Sequence, residues 1–138
     1  MQGDNWIDKV MKELLKAYFY HLVSRLKRMG YNIKESCFDY ERVYIMFDRV
    51  HNFSDIPQGF EIVDTIVFDC DNCIHTNSVI CKMCREYEET VSILVYSEFE
   101  PNLSVVQLYE ILMELQAWID RMEAAEAGVQ NTTQTDMC

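Results

Sequence analysis

Glycine is scarce in this chain: four residues among 138, scattered at Gly3, Gly30, Gly59 and Gly128. A loop that cradles phosphate needs several glycines in one turn, so nucleotide binding of that kind is excluded. Positive charge is scarce as well. Twelve Lys and Arg face 23 Asp and Glu, a net charge of −11. Such a chain repels phosphate, and no nucleic acid is expected as a partner. Long apolar runs are missing. The opening "MQGDNWIDKVMKELLK" interrupts its apolar residues with charges every few positions. A signal peptide or a membrane span needs an unbroken apolar stretch. Neither is expected, nor a membrane partner; the compartment expected is the cytoplasm or nucleus, where stable disulfides are rare. There is no HExxH. His21, His51 and His75 stand far apart with no nucleophile signature beside them. No catalytic constellation emerges, and the chain is not expected to be an enzyme.

What is present is concentrated in "CDNCIHTNSVICKMC", residues 70–84. Two CxxC pairs stand close together with a histidine between them. In a reducing compartment this spacing favours metal over disulfides. Zinc takes tetrahedral thiolate ligands, and each CxxC supplies two from one tight turn. Cys70, Cys73, Cys81 and Cys84 make a full set for one Zn2+ per chain. His75 is a candidate substitute ligand. Four thiolates close the coordination shell and make a poor Lewis acid, so the zinc is expected to be structural. The competing chemistry is a CxxC thiol oxidoreductase, for which Lys82 and Arg85 near the second pair offer cations.

The rest reads as one domain, residues 1–127. Residues 5–29 carry apolar side chains at helical spacing: Ile7, Val10, Met11, Leu14, Leu15, Tyr18, Phe19, Leu22, Leu26, Met29. Asp4 is a natural N-cap and Gly30 a natural stop. Although residues 1–30 are net positive, this helix is expected to be a core helix with a solvated basic face. Strands are expected at about 41–48, 60–69 and 89–99, the first two as an antiparallel pair, with the knuckle of residues 70–84 between the second and third. Ser104 and Gln107 spell a capping box before a helix over 105–127, ended by Gly128. In that helix Leu108, Leu112, Leu115, Ile119 and Met122 follow a heptad seam, which suits either packing on its own domain or a homodimer through this helix. The fold class expected is α+β: a small antiparallel sheet flanked by two long helices, with a four-cysteine zinc knuckle between strands. Cys37 is left over as a small hydrophobe or a loop thiol.

Residues 128–138, "GVQNTTQTDMC", leave the globular pattern and are expected to be a disordered tail. Within it "NTTQTD" resembles the short client motif of the small dynein light chain, presented as a Thr-Gln-Thr anchor. The resemblance covers only these residues. It implies that Thr133, Gln134 and Thr135 anchor, with Asp136 following, and that the segment adds as a β-strand to the edge of a dimeric receptor. The functional expectation is a zinc-binding interaction or adaptor protein acting through protein partners, of a kind that suits a viral accessory or regulatory role. A further alternative is an acidic mimic that blocks a basic nucleic-acid-binding surface.

Overall fold

The computed structural model describes residues 5–68, 88–97 and 102–137. The elements run α1 (Asn5–Arg28), β1 (Ile33–Phe38), β2 (Val43–Phe47), β3 (Phe60–Phe68), β4 (Glu88–Tyr96) and α2 (Val105–Met137). Two helices and a four-stranded antiparallel sheet make the α+β class expected of the sequence. The cysteine knuckle of residues 70–84 lies outside the described residues, as does the N-cap assigned to Asp4.

Helix α1 ends as its sequence dictates. Gly30 has φ 102°, the left-handed region where a Cβ is costly. The N–H of Tyr31 donates to the carbonyl of Leu26 at 3.1 Å, and that of Gly30 to Lys27 at 3.0 Å. These two bonds are a Schellman motif, which satisfies the last carbonyls and turns the chain toward the sheet. At the start of α2 the capping box forms: the N–H of Ser104 donates to Gln107 Oε1 at 2.7 Å, and the N–H of Gln107 to Ser104 Oγ at 3.1 Å.

One strand was not legible. "IKESCF" lacks a clean alternation, yet it forms β1 and pairs with β2 from Ile33↔Phe47 to Phe38↔Val43. It is an edge strand with Lys34 and Glu35 exposed and an irregularity between Ile33 and Glu35. Charge and a bulge are how edges resist pairing with other chains, and they erase the strand signal. Cys37 therefore sits half-buried in a strand. The pairing expected between the first two predicted strands is also different. The sheet order is β1-β2-β4-β3, so β4 separates β2 from β3. The β3–β4 ladder is nine residues long on each strand, from Phe60↔Tyr96 to Phe68↔Glu88. That local ladder takes the edge of β3, and β2 pairs on the other side of β4.

Both helices pack on one face of the sheet. Phe19, Leu22 and Leu26 of α1 and Leu108, Leu112, Leu115, Trp118 and Ile119 of α2 share one core with Phe38, Val43, Ile45, Phe47 and Leu94. Phe19 stacks on Phe38 with centroids 5.0 Å apart. The helices run parallel: Tyr18 bonds Gln116, and Arg25 bridges Asp120 at 2.7 Å and Glu123 at 2.9 Å. These paired carboxylates hold the Arg25 guanidinium charged, and Arg25 in turn holds Glu123 below its usual range. The connection between β2 and β3 is tied down by Trp118, whose Nε1–H donates to the Asp55 carbonyl at 2.7 Å, and by Arg121, which reaches the Asp55 carboxylate at 2.7 Å.

Gly59 closes that connection with φ 85°, and an added Cβ there stands 2.7 Å from the Tyr96 ring. Gly59→Ala combines a left-handed backbone with overpacking, so a loss of about 2 kcal/mol is expected in a denaturant melt. An unchanged midpoint would contradict the assigned turn.

Candidate interaction and metal-binding residues

Four features of the chain are candidates for function, and the fold treats them differently. The cysteine segment is bounded by an observed pair. Phe68, the last residue of β3, lies across from Glu88, the first of β4. Directly opposed residues of an antiparallel pair have Cα atoms about 5 Å apart. The two residues that flank 69–87 therefore stand side by side. Cys70 follows Phe68 by two residues and Cys84 precedes Glu88 by four. Among the described residues no group of three or more His, Cys, Asp and Glu is placed to hold a metal.

The heptad seam of α2 is a correction. Leu108, Leu112, Leu115 and Ile119 are fully buried in the chain's own core, and Met122 packs against it. A seam consumed by its own sheet and by α1 is not open to a second chain, so the homodimer through this helix is not supported. Heptad spacing reports an apolar face and does not say what covers it. The helix also passes the expected stop at Gly128 and continues to Met137. One glycine costs a helix about 1 kcal/mol, less than a stop requires, and no proline follows. Thr133, Gln134, Thr135 and Asp136 thus lie in the last turns of α2.

A polar cluster around one buried serine escaped the sequence reading. Ser92 of β4 is fully buried; its hydroxyl donates to Asp64 Oδ1 at 2.6 Å and accepts from the His51 N–H at 2.9 Å. The N–H of Ser92 donates to the Arg49 carbonyl at 3.2 Å. The three residue types are those of a hydrolase, but the wiring is not. The hydroxyl proton goes to Asp64, and it is the backbone of His51 that touches the serine. The His51 ring lies among Tyr31, Phe47 and Phe53, at centroid distances of 5.4, 5.1 and 5.5 Å. Its Nε2 is buried without a hydrogen bond. The cluster anchors the crossing loop to β4; residues 28 and 41 positions apart meet there, and no local motif announces them.

Burial, with the nearby Arg49 charge, pushes the His51 pKa below its ordinary 6.5, against Asp48. The unfolded chain therefore takes up the proton first as the pH falls. Wild-type stability should be complete above about pH 6.5 and decline as the pH drops from there through the folded value. His51→Phe should remove that part of the slope in denaturant melts run at about pH 5 and about pH 7.5. A slope that survives the substitution assigns the pH dependence to carboxylates instead.

The fourth feature was assigned to the core and is not there. Ile7, Val10, Met11 and Leu14, with Trp6 beside them, are 42–64% exposed on the first turns of α1. Burial on this helix begins at Leu15. The first turns touch the β1–β2 connection through polar groups, Lys12 with Asp39 at 2.7 Å and the Tyr40 hydroxyl with the Asp8 carbonyl at 3.4 Å, while their apolar side chains stay largely exposed. No helix among the described residues is long and apolar enough to cross a membrane.

Comparison with protein-family models, with curated proteins and with solved structures finds no match for this chain. Its function is read from its own residues.

Proposed function

We propose that the chain is a non-enzymatic interaction protein whose fold is clamped by one structural zinc and whose C-terminal segment recruits the small dynein light chain. The observation that carries the metal half is the Phe68↔Glu88 pair. Phe68 and Glu88 flank the segment side by side, and a chain spans at most about 3.3–3.6 Å per residue, which supports Cys70, two residues from one, and Cys84, four from the other, sharing one metal. Cys73 and Cys81 lie three residues further in from each. A donor set of four thiolates suits zinc in a tetrahedral, closed shell. Binding there converts metal affinity into folding free energy, because the open chain holds no preformed site. Elemental analysis of the purified chain is the test: one zinc per chain, retained in His75→Ala. A metal-free chain with a low-pKa thiol would shift the reading to thiol–disulfide chemistry.

The tail half rests on the Thr133-Gln134-Thr135-Asp136 motif. Strand addition needs an extended backbone, in which Thr133 and Thr135 point to one side and Gln134 to the other. The helical turns that hold these residues must unwind first. That unwinding is cheap. Asn131, Thr132, Thr133 and Thr135 are weak helix formers, and no basic residue stands in the last turn to meet the negative end of the helix dipole. A peptide of residues 126–138 should bind the light chain at micromolar affinity, about −8 kcal/mol. Gln134→Ala with Thr135→Ala should abolish binding in the full chain and leave zinc content and melting unchanged. Calorimetry that detects no heat, with no competition against an established client peptide, would remove the motif from consideration.

A further inference from the structure

The two edges of the sheet are unlike. Strand β1 is six residues long, carries Lys34 and breaks its register between Ile33 and Glu35. Strand β3, at the other edge, is nine residues long, and its ladder with β4 runs from Phe60 to Phe68 without a shift. It contains no lysine, proline or glycine. Edges that must stay single are kept short, bulged or studded with lysine, and β3 is none of these.

The phase of the ladder says which backbone groups are free. The Ser97 N–H donates to the Gly59 carbonyl at 2.9 Å, one step before the Phe60↔Tyr96 pair. Bonded pairs alternate along an antiparallel ladder. The odd-numbered residues of β3 therefore bond β4, and the N–H and C=O of Ile62, Asp64 and Ile66 point away from the sheet. Ser92 fits this phase: it lies across from Asp64, and its N–H turns to the opposite side, to the Arg49 carbonyl at 3.2 Å. Among the described residues no strand pairs with the outer edge of β3. Val63 and Ile66 on it are 41% and 50% exposed.

We propose that this edge takes up an extended segment of a protein partner as a further strand, with a lysine or arginine opposite Asp64 and β-branched residues opposite Ile62 and Ile66. The backbone sets the conformation of the occupant. A donor and an acceptor at every second residue are met in full by another extended chain. Charge sets its sequence. The charged residues of β3 are Glu61 and Asp64, both acidic, and the whole chain carries −11. Asp64 Oδ1 accepts from the buried Ser92 hydroxyl at 2.6 Å, which holds the carboxylate at the middle of the free edge. Opposite charges directly across a strand pair attract, and like charges there destabilise it. A second copy is the wrong occupant on that ground. The two-fold register that pairs Ile62, Asp64 and Ile66 with one another sets Asp64 beside the second copy's Asp64. This inference does not rest on the metal or on the tail, which offers a strand of its own to a different receptor.

Amide hydrogen exchange of the full-length chain tests it, with the peptide Thr-Val-Thr-Lys-Thr-Val-Thr as probe. In the free chain the amides of Ile62, Asp64 and Ile66 should exchange fast and those of Val63 and Thr65 slowly. At about 2 mM peptide the three fast amides should slow by about fivefold, as a submillimolar dissociation constant requires. N-methylation of the peptide's Lys, whose N–H faces the edge, should abolish the effect, and N-methylation of a central Thr should not. An analogue with Glu for Lys should bind about fivefold more weakly. Asp64→Asn keeps an acceptor for Ser92 and should erase that difference. The proposal is overturned if the three amides are already slow in the free chain, or if the peptide leaves them fast. It is equally overturned if both N-methylated peptides act alike, or if the preference for Lys survives in Asp64→Asn. Protection that instead rises with protein concentration alone would overturn it and assign the edge to a second copy.

Discussion

Cys84→Ser protein should emerge without zinc and without a cooperative melting transition. The proposed clamp holds residues 69–87 closed at the end of the β3–β4 ladder, where Phe68 and Glu88 pair. Structural zinc in small thiolate sites supplies about 10 kcal/mol or more of apparent binding free energy. The whole net stability of a domain is of order 5–15 kcal/mol. Losing the metal therefore removes an amount comparable to the entire stability. Three remaining thiolates bind weakly and leave a position open to water. Zinc content, followed with a chromophoric chelator, and thermal melting by circular dichroism should fall together. Cys73→Ser should behave alike, because it removes the other half of the same shell. A zinc-free variant that keeps the wild-type melt would make the knuckle peripheral, with the β3–β4 ladder and core sufficient by themselves.

Leu115→Glu should also unfold the domain, for a different reason. Leu115 is fully buried, one of a layer with Leu108, Leu112 and Ile119. Truncation of such a leucine to alanine costs about 2–5 kcal/mol. Placing a carboxylate there adds a desolvation penalty with no cation provided. Leu115→Ala should fold with a lowered midpoint, and Leu115→Glu should not fold at neutral pH. Far-ultraviolet circular dichroism with a urea titration separates the two. A Leu115→Glu chain that stays folded and merely loses self-association would restore the seam to an intermolecular role and contradict the packing. Leu14→Glu is expected to keep the fold, since Leu14 is 62% exposed. Both leucines sit at helical apolar spacing, but one is covered and the other is not.

That contrast marks the limit of what local pattern encodes. Helix α1, its stop at Gly30 and the start of α2 at Ser104 are set by contacts within a few residues, and the strands β2, β3 and β4 carry a local β-branched and aromatic pattern, so all were legible. The capping box and the Schellman bonds span three to five positions. Strand β1 was not legible, because an edge strand is selected for features that weaken its own signal. The polar cluster of His51, Asp64 and Ser92 was not legible either, since its members come together only when β4 inserts beside β3 and the crossing loop docks on it.

By itself the sequence determined the α+β class, the position of α1, the start of α2, three of the strands, the acidic charge and the presence of two CxxC pairs. These follow from composition, periodicity, capping and ligand spacing, which are local. Only the tertiary structure decided the strand order, and with it which apolar stripe is covered. Periodicity marks a face as apolar on α1 and on α2 alike. Burial is assigned by what packs there: the seam of α2 lies in the shared core from Leu108 to Ile119, whereas α1 reaches that core only from Leu15 onward and leaves Ile7, Val10 and Leu14 in water.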